Sequence, residues 1–218
     1  MEKIFGGVYK IGKAFATVNA VPGRKVYGEK LIRVDGQEFR VWDSYRSKLS
    51  GAMRKGLKTF PFKKGSKILY LGASTGTTPS HLSDIIGAEG ELYAVEFAHQ
   101  CMKSLLPLCE LRDNLIPIHA DARQPQEYKD VGIVDIIYMD VAQPDQDDIL
   151  IINAEMFLKK GGIAMICIKS QSIDVTRRPE DVYKEVIKKL ETKFKVLEKM
   201  TLDPYDKDHM FVVLEYVG

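Results

Sequence analysis

Three successive apolar runs in this chain end in carboxylates: Leu92–Val95 runs into Glu96, Leu115–Ile118 into His119-Ala120-Asp121, and Val134–Met139 into Asp140. Runs of that length and composition read as buried strands. Ligands of open parallel sheets lie beyond the carboxyl ends of the strands, so the three acids are expected around one crevice. An acid closing the second strand of such a sheet can hold a ribose through its hydroxyls. Acceptors in this number suit the hydroxyls and exocyclic amine of an adenosine-like ligand, whereas they would repel a triphosphate.

The same crevice needs a close-approach turn, and Lys67-Ile-Leu-Tyr-Leu-Gly-Ala-Ser-Thr-Gly-Thr-Thr78 supplies one: a strand pattern running into Gly72 and Gly76 and then a helix start. Glycine lets backbone approach a ligand, and Ser74 with the threonines can cap the helix while leaving amides free. A dinucleotide fingerprint would need glycine at position 74, and a phosphate loop would need Gly-Lys-Ser/Thr to follow; neither is present. Taken alone, the segment is also compatible with an ordinary strand-to-helix turn.

The elements that must position these residues divide in two. Residues 1–55 hold short β-prone runs near 5–11, 14–18, 30–34 and 38–42, broken at Pro22-Gly23 and Asp35-Gly36, which predicts a small antiparallel β module. A helix follows, capped by Ser44 or Ser47, with Leu49, Ala52 and Met53 on its apolar stripe. Residues 56–218 alternate strands with helices predicted at 77–86, 98–111, 143–159 and 179–193, the pattern of a parallel sheet. Two β-prone runs, 195–200 and 209–217, then predict a closing hairpin around Pro204.

Thirty-two basic against 30 acidic residues leave a formal charge of only +2. A protein holding nucleic acid unaided through many phosphate contacts would show a clear basic excess, so any RNA is expected to be delivered partly by other subunits. Cys101, Cys109 and Cys167 have no metal-ligand spacing, and with no leader pattern they predict free thiols in a reducing setting. No apolar run is long enough to span a membrane.

Val41-Trp-Asp-Ser-Tyr-Arg-Ser-Lys-Leu49, the Gly72 turn, Tyr93-Ala-Val-Glu-Phe97, Asp140-Val-Ala-Gln-Pro-Asp-Gln146, Ile168-Lys169 and Pro204-Tyr-Asp-Lys-Asp-His209 occur in the order of fibrillarin signatures. The chain resembles that family, in its archaeal form without a Gly/Arg-rich tail, along essentially its whole length. The resemblance implies an α/β fold of the class I S-adenosylmethionine-dependent methyltransferase type: Rossmann-like, with a mostly parallel seven-stranded sheet and an antiparallel last strand. It implies a cytoplasmic RNA ribose 2'-O-methyltransferase acting on rRNA and possibly tRNA. Implied partners are a box C/D guide RNA and its target RNA, a Nop-domain scaffold protein and, through it, a kink-turn-binding ribosomal-type protein.

The resemblance further implies a catalytic set of Lys48, Asp140, Lys169 and His209. It places cofactor contacts at Gly72, Ala73, Thr77, Thr78, Glu96, Phe97, Asp121, Ala122, Asp140 and Gln143. A ribose hydroxyl is a weak nucleophile, and a sulfonium donor leaves the enzyme to align the oxygen and take its proton. Asp140 would orient or deprotonate the hydroxyl, and Lys169, at the next strand end, would favour the developing alkoxide. Each has a plainer reading: Asp140 as a helix cap, Lys169 as a snorkelling lysine, His209 as a satisfied hydrogen-bonding residue. His81 and His119 read as structural. Lys103, Arg123, Arg177 and Arg178 are candidates for RNA phosphates. A methyltransferase with a non-RNA substrate, and a structural subunit with a vestigial cofactor site, remain alternatives.

Overall fold

The computed structural model describes residues 1–218. The first five strands, β1 (Glu2–Phe5), β2 (Val8–Ile11), β3 (Ala14–Val18), β4 (Leu31–Val34) and β5 (Gln37–Trp42), form an antiparallel sheet in the order β1-β2-β3-β5-β4. Helix α1 (Lys48–Arg54) follows. Ser47, one of the two expected caps, is its N-cap and accepts from the Ser50 amide at 3.5 Å.

The second sheet is assembled from β6 (Lys67–Leu71), α2 (Thr77–Ile86), β7 (Glu91–Val95), α3 (His99–Cys109), β8 (Leu115–Ile118), β9 (Val134–Met139), α4 (Gln146–Phe157), β10 (Leu158–Lys169), α5 (Ser170–Ile173), α6 (Pro179–Leu190), β11 (Phe194–Thr201) and β12 (His209–Tyr216). Its order is β11-β12-β10-β9-β6-β7-β8. β6 pairs in parallel with both β7 and β9, so the direction of strand addition reverses beside it, and a parallel sheet opens a crevice at that point. β12 runs antiparallel to both its neighbours.

Helices end where the chain has other uses. α4 covers Gln146–Phe157 rather than 143–159, because residues 141–145 form a loop at the crevice and Leu158 already pairs with Val134. α6 stops at Leu190 because Phe194 opens β11. Two short elements escaped the periodicity: α5, and a 3-10 turn at Pro125–Val131, each too brief to show an apolar stripe.

The two sheets share a core. Val8, Phe15 and Trp42 pack in one apolar cluster with Ile68, Tyr70, Leu82 and Tyr138. Polar bonds reinforce that junction. Arg40, fully buried, pairs with Glu29 at 2.6 Å and Asp84 at 2.9 Å, and Arg112 meets the other Asp84 oxygen at 2.7 Å. Two guanidiniums thus answer two carboxylates, which buried charge requires. His81 lies beside them, wholly buried and stacked on Trp42 at 4.6 Å. Its Nδ1 is 2.8 Å from Thr17 Oγ1, whose own proton goes to Asp84, and its Nε2 is 2.8 Å from the Tyr27 hydroxyl. His81 is structural, as the sequence suggested.

Candidate active site

The reversal beside β6 carries a cleft of about 440 Å³. Gly72, Ala73, Thr77, Thr78, Glu96, Phe97, Asp121, Ala122, Asp140 and Gln143 all line it, together with Lys48 and Lys169. The turn after β6 is built by glycine. Gly72 sits at φ +83°, and a Cβ there would lie 3.1 Å from the Asp140 carbonyl and the Val141 nitrogen, so only glycine lets β6 and the β9 loop approach this closely. Gly76, at φ +88°, starts α2. The amides of Thr77 and Thr78 belong to the first turn of that ten-residue helix and have no intrahelical acceptor, leaving a positive dipole end on the cleft.

Glu96 fixes the turn from the other side. One of its oxygens accepts from the Ser74 amide and the other from the Ala98 amide, both at 2.7 Å. A carboxylate offers about four acceptor sites, so two remain for a ligand. The Phe97 ring stands at the rim, 66 % exposed, open to stacking. Asp121 accepts from the Arg123 amide at 2.9 Å. Gln143 is held through Oε1 by Arg123 at 2.9 Å, which leaves its amide group free to donate.

Asp140 closes the cleft at the end of β9. Lys48 Nζ lies 3.2 Å from its Oδ1, and Lys169 Nζ lies 2.8 Å from the same oxygen while donating to the Asp140 carbonyl at 2.7 Å. Asp140 is therefore no helix cap: α4 begins six residues later, with Asp145 at the cap position. Lys169 does not snorkel outward but turns back onto Asp140. Ser47, immediately before Lys48, shares a 2.9 Å hydrogen bond with Thr78, fastening α1 to the first turn of α2.

His209 departs from expectation. It does not line the cleft and meets Asp206, at 2.9 Å, rather than Asp140. Asp206 in turn lies 3.4 Å from Lys48, so the four expected residues form a chain, His209–Asp206–Lys48–Asp140–Lys169, with Asp206 as the link. Asp206 escaped the sequence reading because three acids, 203, 206 and 208, crowd one short loop and spacing alone does not choose among them. Desolvation is the strongest influence on Lys48 and works against its charge, but Asp140 and Asp206 outweigh it and lift the ammonium above its ordinary value. Burial likewise opposes ionisation of Asp206, yet the His209 hydrogen bond and Lys48 hold its carboxyl below the usual range.

Three of the four suggested phosphate contacts are already engaged. Arg123 forks onto Asp145 at 2.7 and 2.8 Å, Arg177 meets Glu185 at 2.6 Å, and Arg178 meets Asp181 at 2.9 Å. Their charges are matched by neighbours, a pairing that sequence spacing does not reveal. Lys103 is exposed on α3.

The family model for fibrillarin matches residues 1–218. This chain belongs to the fibrillarin family. A curated relative from Thermococcus onnurineus, a fibrillarin-like rRNA/tRNA 2'-O-methyltransferase, is 53 % identical over 96 % of each chain. The fibrillarin of Aeropyrum pernix, solved with natively bound S-adenosyl-L-methionine, superposes with a TM-score of 0.86 at 47 % identity, covering 92 % of this chain and 88 % of that one. A chain from a fibrillarin/Nop5p complex superposes at 0.90 with 40 % identity, covering 99 % of this chain and all of that one. The fold of this fibrillarin-family chain is that of the class I S-adenosylmethionine-dependent methyltransferases, with the antiparallel module added at the amino end.

Proposed function

We propose that this chain transfers a methyl group from S-adenosylmethionine to ribose 2'-hydroxyls of rRNA and tRNA, as the catalytic subunit of a box C/D guide particle. The observation that carries the reading is Asp140, held between the ammoniums of Lys48 and Lys169 at the mouth of a cleft whose other wall suits a nucleoside. The family's bound relative supports the choice of cofactor, and so do this chain's own groups. Glu96 keeps acceptor capacity for ribose hydroxyls, Phe97 offers a stacking face, Asp121 and Ala122 flank the place for an adenine edge, and the α2 amides suit a carboxylate.

When bound, the cofactor supplies an electrophilic methyl group. Asp140 accepts a hydrogen bond from the ribose hydroxyl, orients its lone pair, and is the first acceptor of its proton as the new bond forms. Lys48 and Lys169 stabilise the negative charge that grows on the oxygen, and their fixed positions avoid reorganisation at that moment. Asp206 and His209 hold Lys48 from behind.

The complex of a relative with Nop5p supports a Nop-domain scaffold as partner. The guide RNA and a kink-turn-binding protein complete the proposed particle, and the near-neutral charge fits RNA delivered by other subunits. Three free thiols suit a cytoplasmic, reducing setting, and no helix is long and apolar enough to cross a membrane. Division near residue 55 into a β module and a methyltransferase domain belongs to the same reading. The test is label transfer from S-adenosylmethionine in the reconstituted particle to a guide-paired RNA and to its counterpart lacking one 2'-hydroxyl. Label on the complete RNA alone supports ribose methylation, label on both moves the reaction to a base or a protein, and label on neither leaves a structural role.

A further inference from the structure

A second cleft, about 630 Å³, opens on the amino-terminal sheet and shares Arg46 with the catalytic one. Lys13, Lys30, Arg46 and Arg54 stand in its walls. Unlike Arg40, Arg123, Arg177 and Arg178, none of these four meets a carboxylate within ion-pair distance. Of the two acids in the same walls, Glu29 is paired with Arg40, while Asp43 accepts from the Tyr45 amide at 2.8 Å and keeps its charge. In a chain whose net charge is only +2, four unmatched cations against that one carboxylate are a local excess that composition hides.

Two of the cations are held in fixed planes. The Arg46 guanidinium lies 5.5 Å over the Tyr27 ring, and Arg54 lies 4.3 Å over Phe15 while donating to the Lys13 carbonyl. An aromatic pair lines the second cleft. Tyr45, 70 % exposed, has its ring centroid 5.2 Å from that of Tyr205. A large exposed ring such as Tyr45, backed by the half-buried Tyr205 and set beside unmatched guanidiniums, is what a nucleic-acid strand uses: a base stacks on the ring and phosphates meet the cations. Tyr205 adjoins Asp206, and Lys48 lies two residues beyond Arg46, so the groove continues the path into the proposed methyl-transfer centre.

We propose that this groove is a subsite for the target RNA where it runs unpaired beyond the guide duplex, stacking a base on the Tyr45 ring, which Tyr205 braces at 58°, and holding the flanking phosphates with Lys13, Lys30, Arg46 and Arg54. The proposal rests on the RNA-methyltransferase reading and extends it to the amino-terminal module. It assigns that sheet the task of aligning the strand that leaves the catalytic cleft.

The test uses the reconstituted particle with guide RNA and two variants, the double Lys13→Gln/Lys30→Gln and Tyr45→Ala, read under single turnover. Removing two phosphate contacts should flatten the log-log salt dependence of half-saturation by target by about 1.4, at roughly 0.7 per contact on a single strand. Tyr45→Ala should raise the half-saturating target concentration at least about fivefold, the equivalent of ~1 kcal/mol of lost stacking, and Tyr45→Phe should restore it. The rate at saturating target should stay within about twofold in every variant. A target carrying 4-thiouridine at the first unpaired nucleotide beyond the guide duplex should cross-link to the Tyr45 or Tyr205 peptide without any turnover. Unchanged half-saturation and salt slope, cross-links only elsewhere, or losses that trace to failed assembly with the scaffold protein on gel filtration would each overturn the subsite. Failure of the methyl-transfer reading would look different: the unaltered particle itself would leave the RNA unlabelled.

Discussion

Replacing His81 by glutamine should remove a defined part of the protein's acid sensitivity. The ring is wholly buried, and desolvation first, then Arg40 and Arg112, push its pKa well below the ordinary value. The folded chain therefore keeps His81 neutral, while the unfolded chain takes up a proton near pH 6.5. Below that pH the unfolded state binds one more proton, so stability falls by about 1.4 kcal/mol per pH unit from this residue alone. Between about pH 7.5 and pH 5 the loss integrates to ~2 kcal/mol. Titration of carboxylates adds to the slope in both proteins and cancels in the comparison. The assay is guanidinium unfolding across that range, followed by far-UV circular dichroism and by Trp42, the chain's only tryptophan, which lies against the residue. His81→Gln will start less stable at neutral pH, but its stability should decline by ~2 kcal/mol less on acidification. Parallel profiles for the two proteins would refute the claim that the buried ring is neutral.

Asp140→Asn should lower the methyl-transfer rate roughly 10²- to 10⁴-fold, with cofactor affinity by calorimetry changing only a few fold. Asp206→Asn removes the carboxylate that links Lys48 to His209, so the transfer rate at saturating target should fall roughly tenfold or more while cofactor affinity by calorimetry changes only a few fold; an unchanged rate would refute the link. Gly72→Ala demands a side chain at φ +83° and 3.1 Å from the Asp140 carbonyl, which should cost about 1–2 kcal/mol in denaturant unfolding and lower the transfer rate by displacing Asp140. Arg40→Ala leaves Glu29 and Asp84 with too little positive charge in the core and should cost about 3–5 kcal/mol by the same unfolding measurement.

Much of this arrangement was written in local patterns. The three strand-end acids and the Gly72 turn were legible because a parallel sheet gathers the carboxyl ends of its strands on one edge, whatever the rest of the chain does. Lys48 and His209 were legible only through family resemblance, since nothing local separates them from solvated surface residues. Asp206, the clamp of Arg123 on Asp145, and the shared groove at Arg46 were not legible. Each depends on which distant loop meets which strand end, and hydrophobic periodicity contains no term for that. His81, on the first helix of the parallel sheet, could be read as structural, but the buried Arg40–Asp84–Arg112 group around it could not, because charged residues in sequence look like surface.

β12 lies between β10 and β11, and its first residue, His209, pairs with Lys169 at the catalytic edge. Every other strand of that sheet precedes it in the chain. Synthesis thus delivers the Gly72 turn and Asp140 early, while the loop bearing Asp206 and the slot between β10 and β11 stay unfinished until β12 has emerged. A partly made chain could gather the Gly72 turn, Glu96 and Asp140 but not the brace behind Lys48. The order of strands thereby makes the brace behind Lys48 depend on the strand of this sheet that comes last in the chain, so the parallel core and the brace are separable in assembly.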